Sequence, residues 1–260
     1  MALYSTFIKS IETSGGSIEL IELAHRSYSR ESLEGIVRQG IREKVGHYLL
    51  EELHQINNEE VIDRAIDNDW LTLFWDTVEK KSSEDIQRIY AKILAGECLR
   101  PGSFSPRLLH ILSIMTQKDA MAFETICNMS IRDEGGTFLI EPLQEFENFL
   151  QKEITTHEGL GDYVIEDLES LGLLGRSSMV AFHEEEDGTQ KDIGGVTCTV
   201  VVTNSELLTK NQHYITGIPF TMPAEELRSI IRLTQNKPYF YALKNFTAEY
   251  LGIELKPNGV

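Results

Sequence analysis

The run Ile89-Tyr90-Ala91-Lys92-Ile93-Leu94-Ala95-Gly96-Glu97, followed by Pro101-Gly102-Ser103-Phe104-Ser105, constrains this chain more than any other stretch. Ile86, Ile89, Tyr90, Ile93 and Leu94 are spaced by threes and fours, so they share one face of a helix. Ala91, Ala95 and Gly96 keep the neighbouring surface small, which lets another backbone approach. Pro101-Gly102 ends the helix and turns the chain. Ser105 is placed to cap a new helix, with Pro106 at its first position. The order is helix, stop, tight turn and new helix.

The flanks extend this frame. Trp70, Leu73, Phe74 and Val78 make one apolar helical face, with Asp67, Asn68 or Asp69 as its cap. Lys80 and Lys81 suit the negative end of that helix. Ser82-Ser83, then Glu84 and Asp85, begin the hallmark helix. Downstream, Leu108, Leu109, Ile111 and Leu112 are core candidates, and Thr116 with Asp119 forms a capping box. Trp70, Phe74, Ile89, Tyr90, Ile93 and Leu94 are expected in one buried helix–helix core, with Phe104 buried beside the turn.

Residues 61–130 resemble an uncharacterised family of bacterial and phage proteins, a domain of unknown function. The resemblance rests on Asp67-Asn68-Asp69-Trp70, Phe74-Trp75, Ser83-Glu84-Asp85, the Tyr90–Glu97 run and the Pro101–Ser105 turn. The family usually has Trp at the Tyr90 position and Leu at the Pro106 position; neither change disturbs the frame. Leu168-x-x-Leu171-Gly172-Leu173-Leu174 resembles the family's distal part less specifically. The resemblance implies fold and lineage, and carries no established activity or catalytic residues. It also implies a setting in phage–host conflict, as defence or counter-defence.

The fold class expected is mainly α with a smaller α+β part. Three regions are read: an N-terminal helical region 1–60, a helical hallmark domain 61–133, and a winged-helix-like module 137–255 with a β-hairpin. In the first, Leu33, Ile36, Val37, Ile41, Val45, Tyr48 and Leu49 form a core stripe, with Arg38, Arg42, Glu43 and Lys44 on the solvated face. Ser14-Gly15-Gly16-Ser17 reads as a joint. In the last, a strand at 137–140 precedes helices at 142–152 and 163–174. Strands at 179–183 and 196–203 form the hairpin through a turn-rich 186–192 segment, and a third strand runs 213–220. Helices at 224–233 and 239–251 close the chain.

With 41 acidic and 24 basic residues the net charge is −17, which opposes non-specific nucleic-acid binding. The chain has no apolar run long enough for a membrane span, and its N-terminus lacks a signal-peptide pattern, so a cytoplasmic location is expected. Cys98, Cys127 and Cys198 are far apart and read as reduced structural thiols. His47 and His54 share a helix face without a third ligand, so no metal and no cofactor is called for. No nucleophile elbow, phosphate loop or dinucleotide fingerprint is present.

Two groups remain as site candidates, and no catalytic residue is assigned. Arg100, Ser103, Ser105 and Arg107 surround a helix start where an anion or a partner would bind. Lys92 and Glu97 are polar positions on the hallmark helix; a structural pairing of Lys92 with Asp76 or Glu79 is the competing account. The function expected is a non-enzymatic intracellular regulatory or protein-interaction protein whose partner is another protein, with homo-oligomerisation open. The alternatives are a winged-helix nucleic-acid-binding regulator, disfavoured by the acidic 163–174 helix, and a cryptic nuclease or hydrolase using scattered residues such as Asp187 and Lys191.

Overall fold

One 38-residue helix, α1 (Ile18–Gln55), opens the described chain. A computed structural model describes residues 18–55, 64–141, 164–176, 179–180, 182, 184–211 and 216–258. The expected joint at 14–17 and the helix expected at 142–152 lie outside these residues. Helices α2 (Asn68–Val78), α3 (Glu84–Leu99), α4 (Pro106–Ile114) and α5 (Gln117–Cys127) follow. Next come β1 (Ile131–Asp133), β2 (Gly136–Glu141), α6 (Val164–Ser170), β3 (Met179–Val180), β4 (Gln190–Ile193) and β5 (Val196–Val202). The chain ends in α7 (Ser205–Asn211), β6 (Thr216–Pro219), α8 (Met222–Arg228), α9 (Lys237–Phe246) and β7 (Ile253–Pro257). Helices predominate, with a smaller β part.

The described residues form two compact units. The first takes in the described parts of Met1–Glu59 together with Phe74–Ala95. Its core joins Val45 and Tyr48 of α1 to Phe74, Val78, Ile86, Tyr90, Ile93 and Leu94, all buried. Phe74 meets Tyr90 edge-on at 5.5 Å between ring centroids. Arg88 lies over the Tyr48 ring at 4.0 Å and pairs with Glu51 at 3.2 Å. Arg42 engages Glu79 and lies over Trp75. An exposed pair such as Arg88–Glu51 contributes at most about 1 kcal/mol, whereas each large apolar side chain contributes roughly 1.5–3. Apolar burial therefore holds α1 in place, and the arginines fix its rotation.

That hold reaches only the C-terminal part of α1. Ile41 and Leu49 are half-buried, and Leu33, Ile36 and Val37 are 65%, 69% and 61% exposed. The expected core stripe thus ends at Ile41. Ile89 is likewise half-buried, not a full core member. Trp70 is buried, but it belongs to the second unit.

The second unit comprises the described parts of Glu60–Leu73 and Gly96–Val260. Its sheet is antiparallel in the order β3-β6-β2-β1-β4-β5-β7. The hairpin expected between 179–183 and 196–203 is not formed. β5 pairs with β4, and β3 pairs with β6. The turn is Gly194-Gly195, with φ of +57° and +90°, which closes β4 onto β5. Two successive positive-φ residues suit the twist of a two-residue hairpin, and glycine reaches them without strain. The segment after the hallmark helices is also a hairpin turn, because Asp133 pairs with Gly136 to join β1 and β2.

Candidate functional site

The hallmark turn is built from mutually dependent parts, all within the second unit. Glu97 is only 2% exposed, and its two carboxylate oxygens accept the backbone N–H groups of Gly102 (2.5 Å) and Phe104 (3.1 Å). The Phe104 carbonyl accepts the Trp70 indole N–H at 2.8 Å. The Phe104 ring lies over Gly96, where an added Cβ would sit 2.6 Å from Cε2. Gly96 is therefore required as space for a ring. The Ser103 hydroxyl donates to the Arg100 carbonyl at 2.6 Å and closes the turn.

Ser105 caps α4 as expected: its hydroxyl oxygen accepts the Leu108 N–H. The same hydroxyl and the Ser105 amide donate to Glu226 of α8 at 2.9 and 2.8 Å. A carboxylate of the chain itself thus occupies the helix start, where negative charge is favoured. Among the four anion-site candidates, Ser105 and Ser103 serve the turn, while Arg100 and Arg107 are exposed. An external anion here has to displace Glu226. Glu97 serves the turn from inside. Lys92 is half-buried, and Glu79, one of its expected partners, takes Arg42 instead.

Two buried cations tie the sheet together. Lys191 of β4 is 1% exposed, with its ammonium 2.7 Å from Asp133 and 3.0 Å from Glu186. The rings of Phe138 and Phe182 flank it, with centroids 5.6 and 5.4 Å away. Arg228 of α8 is 6% exposed and pairs with Asp192 at 3.0 Å, and its Nε donates to the Ser130 hydroxyl. Asp187 accepts the Val202 amide at 2.8 Å. The residues considered for a cryptic hydrolase are therefore engaged in holding β4, β5 and their neighbours.

The thiols are poor nucleophiles. Burial pushes Cys127 far up and Cys198 up to about 11, and burial followed by Glu97's charge raises Cys98. At neutral pH each stays protonated, so none is activated for covalent chemistry. No group of three metal-ligating side chains occurs among the described residues. No helix among them is long and apolar enough to cross a membrane.

The surface with unmet needs is on α1. An open groove of about 750 Å³ is lined by His25, Arg26, Arg30, Leu33 and Val37 among others, with Glu79 and Lys80 at one end. Leu33 and Val37 are its apolar side chains, and every described residue from 29 to 40 is exposed. This surface was missed because periodicity assigned Leu33 and Val37 to a core. A signal was present in the same helix: Gly35 and Gly40. Each glycine in a helix interior costs about 1 kcal/mol relative to alanine. A Cβ at either position would meet nothing within 4 Å, so no close contact within the chain explains them.

The family described as "Protein of unknown function (DUF2806)" matches residues 25–244, from within α1 to within α9. No curated protein and no solved structure matches the chain.

Proposed function

The chain belongs to this family of unknown function, and on that premise we propose that it is a non-enzymatic regulatory or protein-interaction protein that docks another protein through the N-terminal half of α1. The observation that carries this reading is the exposure of Leu33, Ile36 and Val37, in a helix whose described residues from 29 to 40 are all exposed. In proteins most helical stability comes from tertiary packing of an apolar face. Exposed apolar residues on such an element mark an interaction site. The hallmark, by contrast, spends Glu97, Ser103 and Ser105 on contacts within the chain. The setting in phage–host conflict rests only on the resemblance of the hallmark to bacterial and phage proteins.

The test is affinity capture from producing cells with the wild type and with Leu33→Asp/Val37→Asp. The paired substitution should abolish specific capture and leave the melting temperature nearly unchanged, because both side chains are already in water. Identical capture by the two forms would sink the docking reading.

The winged-helix reading of 137–255 as a nucleic-acid reader is weaker. Its hairpin would be β4–β5 and its presented helix α6. That helix carries Glu166, Asp167 and Glu169, and the chain as a whole is at −17. Repulsion from phosphate is expected at both levels. Fluorescence anisotropy with random-sequence duplex DNA at physiological salt should show no sub-micromolar binding. Tight, salt-sensitive binding would instead place this reading first.

A further inference from the structure

Lys191 stands among the groups that an amide-forming condensation requires. Its ammonium is 1% exposed and meets two carboxylates, Asp133 at 2.7 Å and Glu186 at 3.0 Å, although one would balance its charge. Asp133 ends β1, and the register that sets Arg132 against Asp192 carries it on to stand across from Lys191. The two side chains are therefore cross-strand neighbours. The other oxygen of Asp133, Oδ1, accepts the Gly135 amide N–H at 2.8 Å. Glu186 comes from a separate element, the short helix Glu184–Glu186. The rings of Phe138 and Phe182, each 1% exposed, stand 5.6 and 5.4 Å from the nitrogen. We propose that Lys191 and Asp133 condense into an isopeptide bond, with Glu186 as the acid–base group, so that β1 and β4 become covalently joined.

Three side chains suffice for the step. A proton passes from the Lys191 ammonium to Oδ2 of Asp133, which removes two charges from a setting of aromatic rings. The amine left behind is a nucleophile, and it attacks Cγ of Asp133. Glu186 takes a proton from the attacking nitrogen and returns it to the departing Oδ2 hydroxyl. A C–N bond forms, the Cγ–Oδ2 bond breaks and one water leaves, while Glu186 ends as the carboxylate it began. Negative charge that builds on Oδ1 during the attack falls on the Gly135 N–H. Free in water the two groups meet rarely; held at 2.7 Å they react as parts of one molecule. Asp133 and Glu186 keep 21% and 18% of their side-chain surface, which gives the released water a way out. A chain that has not condensed keeps the ion pair and its energetics.

The experiment is intact-mass spectrometry of the denatured full chain, directly after purification and after prolonged incubation of the folded protein. The wild-type mass should fall short of the sequence mass by one water. Proteolytic digestion should yield a branched peptide that joins the segments containing Asp133 and Lys191. Lys191→Arg keeps the positive charge but carries a guanidinium that does not give up its proton, so it should show the full mass. Asp133→Ala, which has no carboxyl to condense, should show the full mass as well. Glu186→Gln, with its fold checked by circular dichroism, should form the bond about a hundredfold more slowly. A wild type that retains the full mass after incubation overturns the proposal, whether or not the variants fold. So does a water lost inside a single linear peptide, as when Asp187, which precedes Gly188, closes on its own backbone. Unchanged bond formation in folded Glu186→Gln overturns the role given to Glu186.

Discussion

Phe104→Ala should lower the unfolding free energy by about 3–5 kcal/mol, the cost of emptying a buried aromatic site. Its ring is 5% exposed, and its backbone is held at both ends, by Glu97 at the N–H and by Trp70 at the carbonyl. Gly96→Ala should cost about 1–3 kcal/mol through overpacking, because the new methyl lies 2.6 Å from Cε2 of a ring that cannot retreat. The two effects share one volume, so they should not add. In the double variant the methyl at position 96 takes up part of the space left by the ring. Urea melts of the four proteins should show the double variant at least about 1 kcal/mol more stable than the sum of the single losses predicts. Strict additivity would mean that Gly96 and Phe104 are not in contact, and the account of the hallmark as an interlocked turn would fail.

What could be read from the sequence around this turn was local. Ser105, Thr116 with Asp119, and Asp67 cap helices through partners three residues away, and all three caps are formed. Local hydrogen-bond chemistry is written in adjacent residues, so it is legible there. Strand pairing is not local. The turn-rich 186–192 segment competes with Gly194-Gly195 as a hairpin turn, and two glycines flanked by Ile193 and Val196 are the stronger signal. Joining 179–183 to 196–203 through 186–192 passes over β4, the strand that pairs with β5. The Glu226 carboxylate at the Ser105 amide comes from 121 residues away, and no pattern near the turn announces it. The α1 surface failed for another reason. Periodicity tells which residues share a face, and it does not tell what covers that face. Val45 and Leu33 obey one helical period, yet one is fully buried and the other 65% exposed.

The other large effect is expected at Lys191, where stability and chemistry make opposite forecasts. Lys191→Met keeps an unbranched apolar stem but removes the ammonium that Asp133 and Glu186 pair with beside two aromatic rings. Removing one partner of a buried ion pair costs about 3–5 kcal/mol, because the remaining charge is left without compensation. Asp133 and Glu186 keep 21% and 18% of their side-chain surface, so water recovers part of the loss and the lower end of that range, about 3 kcal/mol, is the expected value. Adding Asp133→Asn and Glu186→Gln to Lys191→Met removes the stranded charges, and should return more than half of the lost stability. A reactive lysine behaves otherwise. A catalytic Lys191 would be held at the expense of stability, and Lys191→Met would then melt at or above the wild-type temperature. Thermal and urea melts of the single and triple variants therefore decide whether this cluster is a fastener of β1 to β4. A Lys191→Met protein as stable as the wild type would reject the fastener and return the cluster to the hydrolase reading.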